Sequence, residues 1–218
     1  RTRRPREQLV SPQPQVTHTS HMSQIRLAAP LRRQHILDGA LPVFSEHGFH
    51  DTSMNDIAEA VGVTKPVIYQ HFGSKRELFS SLIDTVGNDM VETVKIATQA
   101  ASDGKTQTQS GFQAYFHWVD THHDGFRLLF GGAARHDDEF STQIRQITSS
   151  IASAVASMIM ADVDSEEQAL IAHAVVGFAE GASRRLIDNN LEFDPDAIAT
   201  VLSALAWAGL RALTPTST

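Results

Sequence analysis

Residues 52–75 carry side chains that suit holding a polyanion better than making or breaking bonds. In Thr64-Lys65-Pro66-Val67-Ile68-Tyr69-Gln70-His71, a cation, an amide, an imidazole, a phenol and two small apolar groups follow one another within about two helical turns. Lys65 can donate to a phosphate or to guanine O6 and N7. Pro66 and Val67 can contact thymine methyls, and Gln70 can pair with adenine from the major groove. Tyr69 and His71 are suited to phosphates. Thr52, Ser53 and Lys75 fall at expected helix N-termini, where hydroxyls, unpaired N–H groups and the helix dipole all favour an anion.

A second group of residues invites a metal reading. His117, Asp120, His122, His123, Asp124, His136 and Asp137 lie close in sequence, and His117 and Asp120 share a helical face. No spacing among them is as diagnostic as two histidines on one helical turn, so a polar helix end is the expectation, with no metal. Catalytic signatures are missing too. There is no phosphate-cradling Gly-rich loop, no Gly-x-Ser-x-Gly elbow and no cysteine. No catalytic residues and no cofactor are expected. An enzyme or ligand carrier with an incidental helical hairpin is the alternative.

The elements that position these groups read as helices. Apolar residues recur at three- and four-residue spacing from residue 30 onward, with no convincing period-two run. The first helix is expected over 31–47, stopped by Gly48 and kinked by Pro42. The second spans 53–61, with Ser53 and Asp56 at capping-box spacing and Gly62 at its end. The third spans 64–72, with Thr64 as N-cap and Pro66 in its first turn. Only Gly62 and Val63 separate the last two, the mark of a helix-turn-helix whose second helix enters DNA. Its small core would be Ile57, Ala58, Val61, Val63, Ile68 and Phe72. By spacing alone, an ordinary helical hairpin fits as well.

Ser74 and Glu77 open a long fourth helix interrupted by Gly87. Residues 102–111 read as a polar linker. Further helices follow near 112–122, 125–130 and 138–160. Another, capped by Ser165 and Gln168, runs to about 187, and the last opens at Asp194-Pro195. The expectation is an all-α chain in three parts: a basic disordered arm (1–30), a three-helix helix-turn-helix domain (31–78), and a larger helical bundle for ligand binding and dimerisation (79–213).

Composition agrees with a DNA-holding end on an acidic body. The 218 residues carry a formal charge of −7. Residues 1–35 nevertheless hold seven arginines against one acid, and the remainder eleven basic against twenty-four acidic groups. Such asymmetry holds DNA at one face and repels it elsewhere. No apolar run approaches the length of a membrane span or forms a signal-peptide core. With no cysteine, a cytoplasmic setting is expected.

The run Ile36-Leu37, Phe44, Gly48-Phe49, Thr52-Ser53-Met54, Ile57-Ala58, then Val61 through Phe72, then Ser74-Lys75 and Leu78 closely resembles the N-terminal domain of the TetR family of bacterial regulators. The resemblance implies a homodimer that binds double-stranded operator DNA and a small ligand, most often as a repressor. It places Thr52, Thr64, Lys65, Pro66, Tyr69, His71 and Lys75 at positions that usually touch DNA. Pro42 departs from the family's usual first helix. Two shorter stretches, 125–130 and 206–210, are similar to mycobacterial and corynebacterial regulators of fatty-acid synthesis, which respond to long-chain acyl-CoA.

A sensor needs a cavity and a partner. Phe112, Phe116, Phe130, Ile144, Ile147, Ile151, Val175 and Phe178 are the expected lining for a hydrophobic effector, although aliphatic stripes at this spacing are more often plain core. The last two helices are the expected homodimer contact. Gly177 and Gly181 would allow close approach, and Ala204, Trp207 and Ala208 would face the partner. Two recognition helices must lie about 34–36 Å apart to enter successive major grooves.

Overall fold

The computed structural model describes residues 29–131, 137–159 and 163–213; the expected basic arm falls almost wholly outside them, as does His136. The described residues form helices and contain no strand. They are α1 (Ala29–Asp51), α2 (Met54–Val61), α3 (Lys65–Tyr69), α4 (Lys75–Gln99), α5 (Gly104–Thr121), α6 (His123–Phe130), α7 (Asp138–Ala156), α8 (Ser165–Asp188) and α9 (Pro195–Ala212).

Local chemistry explains most of the boundaries. Gly48 breaks α1 with φ 74° and ψ 179°, a region open in practice only to glycine, and one further turn follows. The residues around Pro42 keep helical dihedrals, so the break in α1 lies at Gly48 and not at the proline. Ser53 caps α2 in a complete capping box with Asp56, and Gly62 ends it in the left-handed region. Thr64 sits at the N-cap of α3 with extended dihedrals, but its side chain caps nothing; α3 is also shorter than expected, ending at Tyr69. Ser74 accepts from the Glu77 N–H, while the Glu77 carboxylate reaches back to the N–H of Gly73, one residue before the cap.

Two expectations fail further along. The stretch 102–111 is not a linker: Asp103 accepts from the Thr106 N–H and starts α5 at Gly104. The cap of α8 is Asp164 with Glu167, one residue before the expected pair. Both pairs have capping-box spacing, and the one with two carboxylates complements the helix dipole better.

The head is α1 to α3 with the start of α4. Ile36, Leu37, Ala40, Phe44, Ile57, Ile68, Phe72 and Leu78 are buried between these helices. Arg33 lies over the Phe72 ring, 4.6 Å from its centroid, and donates to Ser81. This ties the end of the α3 segment to α1 and α4.

Head and body share a continuous core. Phe44, Phe49, Phe79 and Phe140 form an aromatic cluster joining α1, α4 and α7, with Phe79 and Phe140 4.6 Å apart. Arg76 at the start of α4 covers it from outside. Its guanidinium donates to Asp137 at 2.9 Å and Glu139 at 2.8 Å and lies over the rings of Phe49 and Phe140. Ser45 of α1 donates to Asp124 of α6. Gly87 is explained by its neighbour: a Cβ there would stand 2.3 Å from Ile147 Cδ1, so α7 packs against α4 only because that side chain is absent.

Candidate nucleic-acid interface and ligand cavity

The expected DNA-contacting residues divide into an exposed set and an inward set. Helix α3 buries Ile68 completely, while Thr64, Lys65, Pro66, Tyr69 and Gln70 are exposed. Val67 and His71 are half-buried at the edges of this face. Tyr69, at 46% exposure, is a large aromatic with no structural reason to be outside. The uncapped Thr64 hydroxyl and the outward lysine belong to the same face. Ser53 is exposed too. Its oxygen accepts from the N–H groups of Asn55 and Asp56 as the N-cap of α2.

Two expected contacts need correction. Thr52 is 2% exposed, and its hydroxyl donates to the carbonyl of Gly48 at 2.7 Å. It secures the backbone after the glycine break and does not reach out. Lys75 turns inward as well. Its ammonium donates to the carbonyls of Phe49 at 2.6 Å, Thr52 at 2.7 Å and His50 at 3.3 Å, and lies 4.5 Å from the Phe49 ring centroid. An ammonium has three donors, and all three are committed to carbonyls at the α1–α2 junction. In this structure the Lys75 ammonium is held at the α1–α2 junction and does not project beside the exposed face of α3.

The electrostatics of the head agree with its weak basicity. The Asp56 carboxyl lies below the usual carboxylate range because the Ser53 N–H and then its hydroxyl hold the ionised form. Asp137 is likewise low, chiefly through Arg76. Both are structural anions.

At the other end of the body lies a cavity of about 300 Å³. Val94 and Thr98 of α4 line it, with Gly104, Gln107, Thr108, Gly111, Phe112 and Tyr115 of α5. Ile151, Val155, Met158 and Ile159 close another side, Phe130 contributes from α6, and Val175, Val176, Ala179 and Glu180 from α8. Trp207, Leu210 and Arg211 of α9 complete it. The lining is mostly apolar with a few polar groups, the usual make-up of a small-molecule site.

Four expected lining residues are there: Phe112, Phe130, Ile151 and Val175. Four are not. Phe116 and Phe178 stand behind Phe112, at centroid distances of 6.2 and 6.3 Å. Ile147 is spent against Gly87, and Ile144 is buried at 6% exposure without reaching the cavity. Trp207 was expected at the partner surface; it faces the cavity, beside Gly104.

The polar groups of the cavity are distinct. Arg184 pairs with Glu180 and donates to the Phe130 carbonyl, holding the acid at the wall. The phenol of Tyr115 and the hydroxyl of Ser183 are buried near each other but close no hydrogen bond of acceptable geometry. Burial pushes the Tyr115 phenol up, so it stays a neutral donor. Among the described residues no three His, Asp or Glu side chains come together as a metal set. His117 pairs with Asp196, and His122 stacks on Trp118.

Two family models match this arrangement. Residues 36–82 match the bacterial regulatory proteins of the tetR family, and residues 105–209 match the tetracyclin repressor-like C-terminal domain. The crystal structure of a TetR-like transcriptional regulator from Rhodococcus sp. RHA1 is 31% identical, with a TM-score of 0.72 over 85% of this chain and 99% of that one. The chain belongs to the TetR family.

It is accordingly a helix-turn-helix transcriptional regulator, and its named relatives are regulators as well. The transcriptional activator FasR of Mycolicibacterium smegmatis is 28% identical over 187 residues, 85% of each chain. FadR of Bacillus subtilis, solved in complex with stearoyl-CoA, shares the fold at 18% identity, with a TM-score of 0.71 over 81% of this chain and 98% of that one. No helix among the described residues is long and apolar enough to cross a membrane.

Proposed function

We propose that this TetR-type regulator reads operator DNA with the exposed face of α3 and releases or engages it in response to a hydrophobic effector with a fatty-acyl tail. The burial pattern of α3 carries the first half. Ile68 anchors the helix while Thr64, Lys65, Pro66, Val67, Tyr69, Gln70 and His71 form its outer side, with Ser53 beside it at the start of α2. Pairing two heads in a homodimer supplies the affinity that a weakly basic head lacks.

The effector half rests on the apolar cavity and on the names of two relatives, FasR and the stearoyl-CoA-bound FadR. Cavity and head share elements. Helix α4 runs about 29 Å from Lys75 to Val94 at 1.5 Å per residue. Helix α7 lines the cavity with Ile151 and Val155, and Phe140 at its other end meets Phe49 and Phe79. A ligand that wedges α7 from α4 would shift the head between two positions, a change in population between binding and non-binding states.

The homodimer is assigned to the outer faces of α8 and α9. Leu170, Val201 and Leu205 are exposed there at 71%, 64% and 60%, and the space over Gly177, Gly181 and Gly209 is open. Repression is the expected mode. Operator position decides the sign, and the names of relatives include an activator as well as the repressor AcnR.

The test is a titration of DNA from upstream of the chain's own gene. Tyr69→Ala should weaken binding at least tenfold, and the parent's binding should fall steeply with salt as phosphate contacts release counterions. Equal binding by the variant at unchanged fold would rule out the α3 assignment.

A further inference from the structure

The wall of the cavity has a direction. Phe112, Tyr115, Phe130 and Ile151 are buried, whereas Gly104, Gln107 and Trp207 are half-buried and Arg211 is exposed. Along α5 the lining runs from Gly104 to Tyr115, about 16 Å at 1.5 Å per residue. Trp207 lies against Gly104, where a Cβ would stand 3.2 Å from its ring. Arg211 follows Trp207 one turn later on the same face of α9. The start of α5 and the last turn of α9 therefore form the outer end of the cavity, and Tyr115 and Phe130 the inner end.

The polar groups of the wall differ in what already holds them. The Thr98 hydroxyl donates to the carbonyls of Val94 and Lys95, and the Thr108 hydroxyl to that of Gly104. Glu180 pairs with Arg184, which also donates to the Phe130 carbonyl, so this acid belongs to the inner end. An anion placed there would meet like charge. At the outer end the Gln107 carboxamide has no hydrogen-bond partner among the described residues. Arg211 is the only cation among the described lining residues. Amide and guanidinium N–H groups together suit an anionic oxygen. We infer that the effector carries such a group, a carboxylate or a phosphate, which Gln107 and Arg211 receive at the outer end while the apolar part points toward Phe130. This rests on the acyl reading proposed above and adds the head group and its orientation.

The test is calorimetric titration of the full chain at neutral pH with dodecanoate, dodecyl phosphate and dodecanol, three probes that share one tail. At least one anion should bind about tenfold tighter than the alcohol, and the tighter of the two anions identifies the group. Arg211→Gln and Gln107→Glu, both at sites open to solvent, should each remove most of that preference and leave dodecanol within about twofold of the parent. Orientation is read by bromine quenching of tryptophan fluorescence. Trp207 lines the cavity, whereas Trp118 is buried beneath His122 and donates to Asp89. In the parent 2-bromododecanoate should quench more than 12-bromododecanoate, and Trp207→Phe should abolish the difference. Equal affinity for alcohol and anions, a preference untouched in either variant, or stronger quenching by the 12-bromo acid overturns the head-group assignment and leaves the acyl reading standing. Failure of all three probes to bind overturns both.

Discussion

Replacing Lys75 by methionine separates a structural lysine from a phosphate contact. The substitution keeps most of the stem and removes the ammonium. It leaves the carbonyls of Phe49, Thr52 and His50 without their donor and removes a cation from above the Phe49 ring. Hydrogen bonds to a charged group contribute about 1.5–3 kcal/mol each in the mutational record. Two of these three are short; the third, at 3.3 Å, is weak. The site is half-exposed, so water replaces part of what is lost, and a loss of about 2–4 kcal/mol follows. For a chain of this size that lowers Tm by roughly 5–15 °C. Thermal unfolding followed by circular dichroism measures it. The companion measurement is the slope of log K against log salt for operator binding. Each phosphate contact contributes about 0.9 to that slope. A structural Lys75 predicts lower stability with an unchanged slope in the folded variant. Unchanged Tm together with a slope shallower by about 1.8 per dimer would show that Lys75 meets phosphate and that the inward geometry is not the working one.

Gly48→Ala should destabilise by about 1–3 kcal/mol, because φ 74° with ψ 179° suits glycine alone; denaturant unfolding reads it. Tyr115→Phe should leave stability unchanged or raise it slightly, since the removed hydroxyl has no partner, and a loss above about 1 kcal/mol would mean that the phenol is bonded. Asp137→Asn should cost stability near neutrality and nothing in strong acid. The Asp137 carboxyl is held below its ordinary range, chiefly by Arg76, so its contribution is present above pH about 3.9 and lost as the pH falls through its folded value. Parent and variant unfolding curves should therefore converge below that pH, and a constant gap would contradict the pairing.

The head was legible because its signals are local. Ser53-x-x-Asp56, Gly62 and Pro66 each act within one turn, and all three sit where the spacing placed them. The start of α5 was not legible. Gly104, Thr106 and Gln107 have loop composition, and only Asp103 with Thr106 carries a capping signal. With the helix start missed, Gly104, Gln107, Thr108 and Gly111 could not be recognised as one side of a cavity at one- and two-turn spacing. The inward turn of Lys75 could not be read either. Its partners are carbonyls more than twenty residues earlier in sequence, presented by a break at Gly48 that no pairwise spacing encodes. The cavity was half legible for a related reason: periodicity identifies which residues are buried, whereas a void depends on which buried residues lack an opposing neighbour. Ile147 fills the space over Gly87, whereas Phe112 and Ile151 each keep one side against the cavity.

The central claim is that ligand occupancy of the body changes the grip of the head on DNA. The measurement that meets it most directly is the operator Kd of the protein, determined with and without a saturating fatty-acyl-CoA. A shift of tenfold or more is predicted, a coupling of about 1.4 kcal/mol, within the usual range for linked sites. The same Kd in both titrations, with binding of the thioester verified calorimetrically, would contradict it.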